Sequence, residues 1–261
     1  MSKPVLLNID ERGVATVTLN RADKHNAFNE EVIAALTETF AIVEADPRTR
    51  VMVLTGDGAS FSAGADLNWM RKFIDYTVEE NMADARKLAV MLETLNSLKL
   101  PTIACVNGPA YGGGVGLVAC CDIAIAVSNA AFALTEVKLG LIPATISPYV
   151  VAAIGPHAAR RYFLTAERID APTAKDIGLL HEVVDDQAAL AALCNKLIAT
   201  ILANGPEAVA ASKALIFAVT GVAVDDALQA DTARRIAERR VSREGQEGLA
   251  AFFAKRKPDW A

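Results

Sequence analysis

Three short apolar runs, at 51–55, 102–107 and 123–127, are separated by stretches whose apolar residues recur every three or four positions. Such runs read as buried strands and the stretches between them as helices, so the order strand, helix, strand, helix predicts an α/β fold. Two further strands, Val5–Ile9 and Val14–Leu19, flank Glu11-Arg12-Gly13, where glycine at a turn position predicts an opening hairpin. Asn29 predicts the cap of a helix reaching about Glu44, on the spacing of Val32, Leu36, Phe40 and Val43. Thr77-Val78-Glu79-Glu80 predicts a capping box that opens a helix through Leu88, Met91, Leu92 and Leu95, which Pro101 closes. A short helix is expected from the glycines at 112–114 through Leu117. From about Ser147 strands nearly vanish and the pattern becomes helix and turn, punctuated by Gly155-Pro156, Asp170 before Ala-Pro, and Asn204-Gly205-Pro206. We place a boundary near residue 200, dividing an α/β core at 1–200 from a C-terminal helical segment at 201–261.

With 261 residues, of which 52% are hydrophobic, the chain can bury a core without staples, and no run approaches the roughly 20 apolar residues of a membrane helix. Its first residues, Met1-Ser2-Lys3-Pro4-Val5, show neither a secretory nor a mitochondrial leader pattern, so a soluble, cytoplasmic protein is expected. Cys105, Cys120, Cys121 and Cys194 sit in apolar runs without C-x-x-C spacing; buried free thiols are expected, with no metal and no cofactor. The formal net charge of −5 and the scattered Lys and Arg residues argue against a nucleic-acid partner.

The stretch Val106-Asn107-Gly108-Pro109-Ala110-Tyr111-Gly112-Gly113-Gly114-Val115-Gly116 joins a strand to a helix. Glycines there let backbone N–H groups at a helix N-terminus approach an anion, although a tight turn uses the same residues. A dinucleotide fingerprint would need glycine at Leu117, and no P-loop pattern occurs. A second small-residue loop, 56–67, follows the strand at 51–55; by itself it reads as a connection. Phe61-Ser62-Ala63 is no nucleophile elbow, and His25, His157 and His181 give a Ser-His-Asp triad little support.

Together, Phe61-Ser62-Ala63-Gly64-Ala65-Asp66-Leu67 and Asn107-Gly108-Pro109-Ala110-Tyr111-Gly112-Gly113-Gly114 resemble the enoyl-CoA hydratase and isomerase (crotonase) family. Four flanking segments match in the same order: Leu19 to Ala27, Cys121-Asp122-Ile123-Ala124, Phe132 to Pro143, and Phe252-Phe253 with the basic residues after it. The resemblance implies a crotonase-like core of ββα repeats in a spiral, with a C-terminal helical segment used in trimerisation, as a homotrimer or dimer of trimers. It implies an acyl-CoA thioester substrate whose carbonyl sits between the N–H groups of Ala65 and Gly113, and a catalytic acid-base at Glu136. Coenzyme A contacts map to Lys24, Ala63, Asp66, Leu67 and Gly112, with Lys255 or Lys257 near the phosphates, while Asp122 reads as structural. The apolar surroundings of Glu136 should raise its pKa.

Two positions depart from the hydratase pattern: Gly116 stands where a second glutamate is usual, and Ala144 where dienoyl-CoA isomerases carry an acid. A single-glutamate site resembles the family's double-bond isomerases. The stretches 136–151 and 158–167 resemble instead a bacterial branch of methylglutaconyl-CoA hydratases of leucine breakdown, close to isohexenylglutaconyl-CoA hydratases. The reading adopted is a lyase, an enoyl-CoA hydratase of branched glutaconyl-type thioesters, with an isomerase and a catalytically silent acyl-CoA-binding protein as alternatives. Arg71, Lys72, Lys138 and Tyr149 are the candidate partners of a distal substrate carboxylate.

Overall fold

The structure is a computed structural model that describes residues 3–261. The chain opens with β1 (Val5–Ile9), β2 (Val14–Leu19) and α1 (Glu30–Ala45), followed by β3 (Val51–Gly56), α2 (Leu67–Lys72) and α3 (Val78–Ser97). Next come β4 (Thr102–Val106), β5 (Ala110–Tyr111), α4 (Gly113–Cys120), β6 (Ile123–Val127) and β7 (Ala131–Ala133). The remainder runs α5 (Ser147–Thr165), β8 (Ile169–Asp170), α6 (Ala171–Asp176), β9 (Glu182–Val184), α7 (Gln187–Leu202), α8 (Pro206–Val219), α9 (Asp226–Val241) and α10 (Arg243–Ala254).

The main sheet has the order β1-β2-β3-β4-β6-β9, antiparallel only at the β1–β2 hairpin. A smaller sheet, β5-β7-β8, stands beside it. All five residues of β4 are buried, as expected of a strand covered on both faces. The predicted caps form: Asn29 Oδ1 accepts from the Val32 N–H at 3.0 Å, and Thr77 and Glu80 close a reciprocal box at 3.2 and 2.8 Å. All four cysteines are free and buried. Among the described residues no single helix is long and apolar enough to cross a membrane.

Several elements lie outside the expected pattern, the three short strands of the smaller sheet among them, and two more bear on the main sheet and the site. β9 pairs with β6 and supplies the sixth strand of the main sheet, yet its three residues are too few to show a period. α2 is six residues long, and only its cap, Asp66, could have announced it.

The C-terminal helices are tied to the sheet by polar groups. The Arg50 guanidinium donates to the carbonyls of Leu202 and Asn204 at 3.0 and 2.8 Å. From α8, Lys213 Nζ donates to Asp122 Oδ2 at 2.8 Å and to the Leu100 carbonyl at 3.2 Å. The same Asp122 oxygen accepts from the Thr102 N–H and hydroxyl at 2.8 and 2.9 Å, so Asp122 binds the start of β4 to the start of β6.

Candidate active site

The loops that leave β3 and β4 are fastened together by backbone groups. The Phe61 and Ser62 N–H groups donate to the Pro109 carbonyl at 3.0 and 3.2 Å, and the Tyr111 N–H donates to the Ser62 carbonyl at 2.9 Å. Asn107 bridges them again, accepting from the Gly56 N–H and donating to the Gly58 carbonyl. A third strip, the turn after β2, clamps the first loop from the other side. Asn26 Nδ2 donates to the carbonyls of Asp57 and Ser60 at 2.9 and 2.8 Å, and the Phe28 N–H donates to the Gly64 carbonyl at 2.6 Å. Within the Leu19 to Ala27 motif, these clamp contacts therefore account for Asn26 and for Arg21, whose guanidinium meets Asp66 at 3.0 Å.

This fastening leaves the N–H groups of Ala65 and Gly113 free. Among the described residues neither Ala65 nor Gly113 donates to any acceptor, although the Gly112 and Asp66 N–H groups beside them are bonded to Ala133 and Phe28. Gly113 opens α4, so its orphan N–H also carries the positive end of the helix dipole. Only glycines permit the approach: a Cβ on Gly64 would lie 2.9 Å from the Tyr111 carbonyl oxygen, and one on Gly113 would lie 2.7 Å from the Phe28 ring. An oxyanion between the two amides would be stabilised by both donors, and a lost donor of this kind typically costs about 10²–10³ in rate.

Glu136 stands opposite, packed on Gly112, where a Cβ would lie 3.1 Å from its Oε1. Its Oε2 is buried without a hydrogen-bond partner. Burial pushes the carboxyl pKa above the ordinary glutamate value, a backbone hydrogen bond opposing the shift. A carboxyl so placed can take a proton and return it, which is what an enolate reaction requires.

The amides and Glu136 share one cavity of about 540 Å³. Of the residues singled out from sequence, Ala63, Ala65, Leu67, Gly112, Gly113, Glu136 and Ala144 line it. Lys24, Asp66, Lys255 and Lys257 do not. Asp66 turns inward, capping α2 by accepting from the Asn68 N–H at 2.8 Å and pairing with Arg21. The four candidate carboxylate anchors also lie off the cavity wall: Lys72 pairs with Glu30 at 2.6 Å, Tyr149 donates to Glu93 at 3.1 Å, and Arg71 and Lys138 are exposed. Among the described residues, no group of three or more His, Cys, Asp or Glu is placed to hold a metal ion.

Gly116 lies behind the cavity, and Ile146 fills the space in front of it: a Cβ there would fall inside van der Waals contact with Ile146 Cγ2. A second glutamate at 116 therefore has no room. Sequence reasoning passed over Ile146, Phe28, Trp69 and Asp84, all on the cavity wall. Their signals are ordinary apolar or helical spacing, and only Asp84, an acid among the inward positions of α3, was visible as an exception to pattern.

The family model described as Enoyl-CoA hydratase/isomerase matches residues 10–261. Among solved structures, an enoyl-CoA hydratase from Shewanella pealeana shares 45% identity and a TM-score of 0.95, covering 98% of this chain and 96% of that one. The crotonyl-CoA hydratase of Syntrophomonas wolfei is 32% identical over 265 residues, 98% of this chain and 97% of its own. The 1,2-epoxyphenylacetyl-CoA isomerase of Escherichia coli is 33% identical over 260 residues, 98% and 97% of the two chains.

Proposed function

The chain belongs to the enoyl-CoA hydratase/isomerase family, and from that premise we propose that it adds water to a branched, glutaconyl-type enoyl-CoA thioester. The observation that carries this is the meeting of two unbonded amides, at Ala65 and Gly113, with the partly buried Glu136 carboxyl, whose Oε2 has no partner, in one cavity. The thioester carbonyl oxygen accepts from both amides. Glu136 takes a proton from water, the hydroxide oxygen bonds to the β-carbon, and the negative charge passes to the thioester oxygen as an enolate. The same carboxyl then returns the proton to the α-carbon. Its raised pKa suits both halves of that cycle. The reaction needs no metal and no redox cofactor. The choice of acyl group is supported by the resemblance of 136–151 and 158–167 to glutaconyl-CoA hydratases.

A double-bond isomerase is the second reading, favoured by one observation. Ile146 excludes a carboxylate from position 116, and a single base that moves one proton between carbons suffices for isomerisation. Incubation with a panel of enoyl-CoA thioesters in heavy-oxygen water separates the two. Product carrying the heavy oxygen supports hydration, a shifted double bond without it supports isomerisation, and unchanged thioester overturns both.

A homotrimer or dimer of trimers belongs to the same proposal. Phe252 and Phe253, 76% and 77% exposed on α10, support it, because apolar surface of that kind is usually covered by a partner.

A further inference from the structure

Asp84 is a buried acid on the cavity wall that the reaction above does not use. It is 7% exposed and sits on α3, where Asn81, Asp84, Ala85 and Leu88 form one stripe at helical spacing. Asn81 is engaged, its amide donating to the carbonyls of Tyr76 and Thr77 at 3.1 Å each. Asp84 is not. Among the described residues its carboxyl closes no hydrogen bond or ion pair; the Trp69 indole N–H is near enough to favour the anion, yet is itself buried without a partner. The Asp84 carboxyl and the Trp69 indole N–H are thus neighbours whose contact is too loose to close a hydrogen bond, on a cavity wall that also carries Met70, Phe73 and Leu88. A buried polar group without a partner is costly, and in a ligand cavity the partner is commonly the ligand.

We propose that Asp84 selects the acyl group, by hydrogen-bonding a carboxyl at the end of the acyl chain remote from the thioester. The inference rests on the thioester placement proposed above, since Asp84 lines the same cavity as Ala65, Gly113 and Glu136. No Lys or Arg among the described residues lines the cavity, so a distal carboxylate meets no cation there. Two carboxyls in a desolvated site can share one proton instead. Burial raises the Asp84 pKa, so it keeps a proton to donate where an exposed aspartate has lost it. The charges that reach it are Lys87 from α3, Lys72 from α2 and Glu30 from α1; the two lysines favour the anion and Glu30 opposes it. Glu136 faces the same cavity from the other side. A hydrocarbon chain end would leave the Asp84 carboxyl unpaired, and that penalty supplies the discrimination.

The test uses two saturated thioesters of equal length, glutaryl-CoA and pentanoyl-CoA, so that binding by calorimetry is read without turnover. The wild-type protein should prefer glutaryl-CoA by about 10- to 100-fold while Asp84 is protonated, the usual worth of a hydrogen bond to a charged group. Above the Asp84 pKa the preference should fall about tenfold per pH unit, as the shared proton is lost. Asp84→Leu should abolish the preference. Asp84→Asn retains a donor but cannot titrate, so some preference should remain while its dependence on Asp84 ionisation disappears. Equal wild-type affinities, a preference that survives Asp84→Leu, or an unaltered pH slope in Asp84→Asn would each overturn the inference. Should Asp84→Leu fail to fold, the Asp84→Asn profile decides. Preference without turnover of any enoyl ester defeats the functional reading and leaves this one standing; turnover without preference does the reverse.

Discussion

Glu136, the proposed proton carrier, sits in surroundings that raise its pKa and weaken the fold. Replacing it by Gln removes that proposed carrier but neither amide, so turnover should fall by about 10²–10⁴-fold while thioester affinity stays nearly constant. Steady-state kinetics beside calorimetric binding checks this, and near-full activity would mean that another group carries the proton. The same substitution should stabilise the empty protein at neutral pH. Because the folded pKa is raised above the free value of 4.5, the folded chain holds a proton that the unfolded chain releases. Stability from this group is therefore complete below that value and is lost as pH rises through the folded pKa. Gln cannot ionise, so thermal melts of Glu136→Gln and wild type should converge near pH 4 and separate, variant higher, above pH 7. A variant that melts lower throughout would contradict it.

At the scale of elements, α4 and α5 meet where Gly116 faces Ile146. Gly116→Glu should overpack that contact, at a cost of about 1–3 kcal/mol, without delivering a second acid to the cavity. Adding Ile146→Ala should recover the melting temperature; a single variant as stable as wild type, with faster hydration, would show that the contact is not rigid. Lys213→Met should destabilise by about 1–3 kcal/mol, because Asp122 loses its charge partner across α8 and the sheet. Asp122→Asn in that background should return part of it, as denaturant midpoints would show. Long elements were legible in the sequence: the caps at Asn29 and Thr77 and the buried runs at β3, β4 and β6 follow from local spacing. β9 and α2 were not, since three or six residues carry no period. That Ala65, Gly113 and Glu136 would come together in one cavity was legible through motif order. Asp84 and Ile146 were hidden because their places on the cavity wall come from what α3 and the start of α5 turn toward it, which only tertiary packing decides.

For the whole molecule, the proposed trimer predicts that sedimentation velocity at micromolar concentration shows no monomer, and a monomeric, fully active species would defeat it. Replacing Phe252 and Phe253 together by Ser should release monomer if α10 is part of that contact, while the sheet keeps its fold. The tie between α8 and the sheet has a different consequence, in the order in which the chain is made. Asp122 leaves the ribosome 91 residues before Lys213. Until Lys213 follows, the junction of β4 and β6 holds an aspartate with two donors from Thr102 and no counter-charge. A nascent chain halted between these residues should thus be more sensitive to protease at that junction than a chain released in full. Synthesis of α8 is then the moment at which the first half of the protein becomes secure.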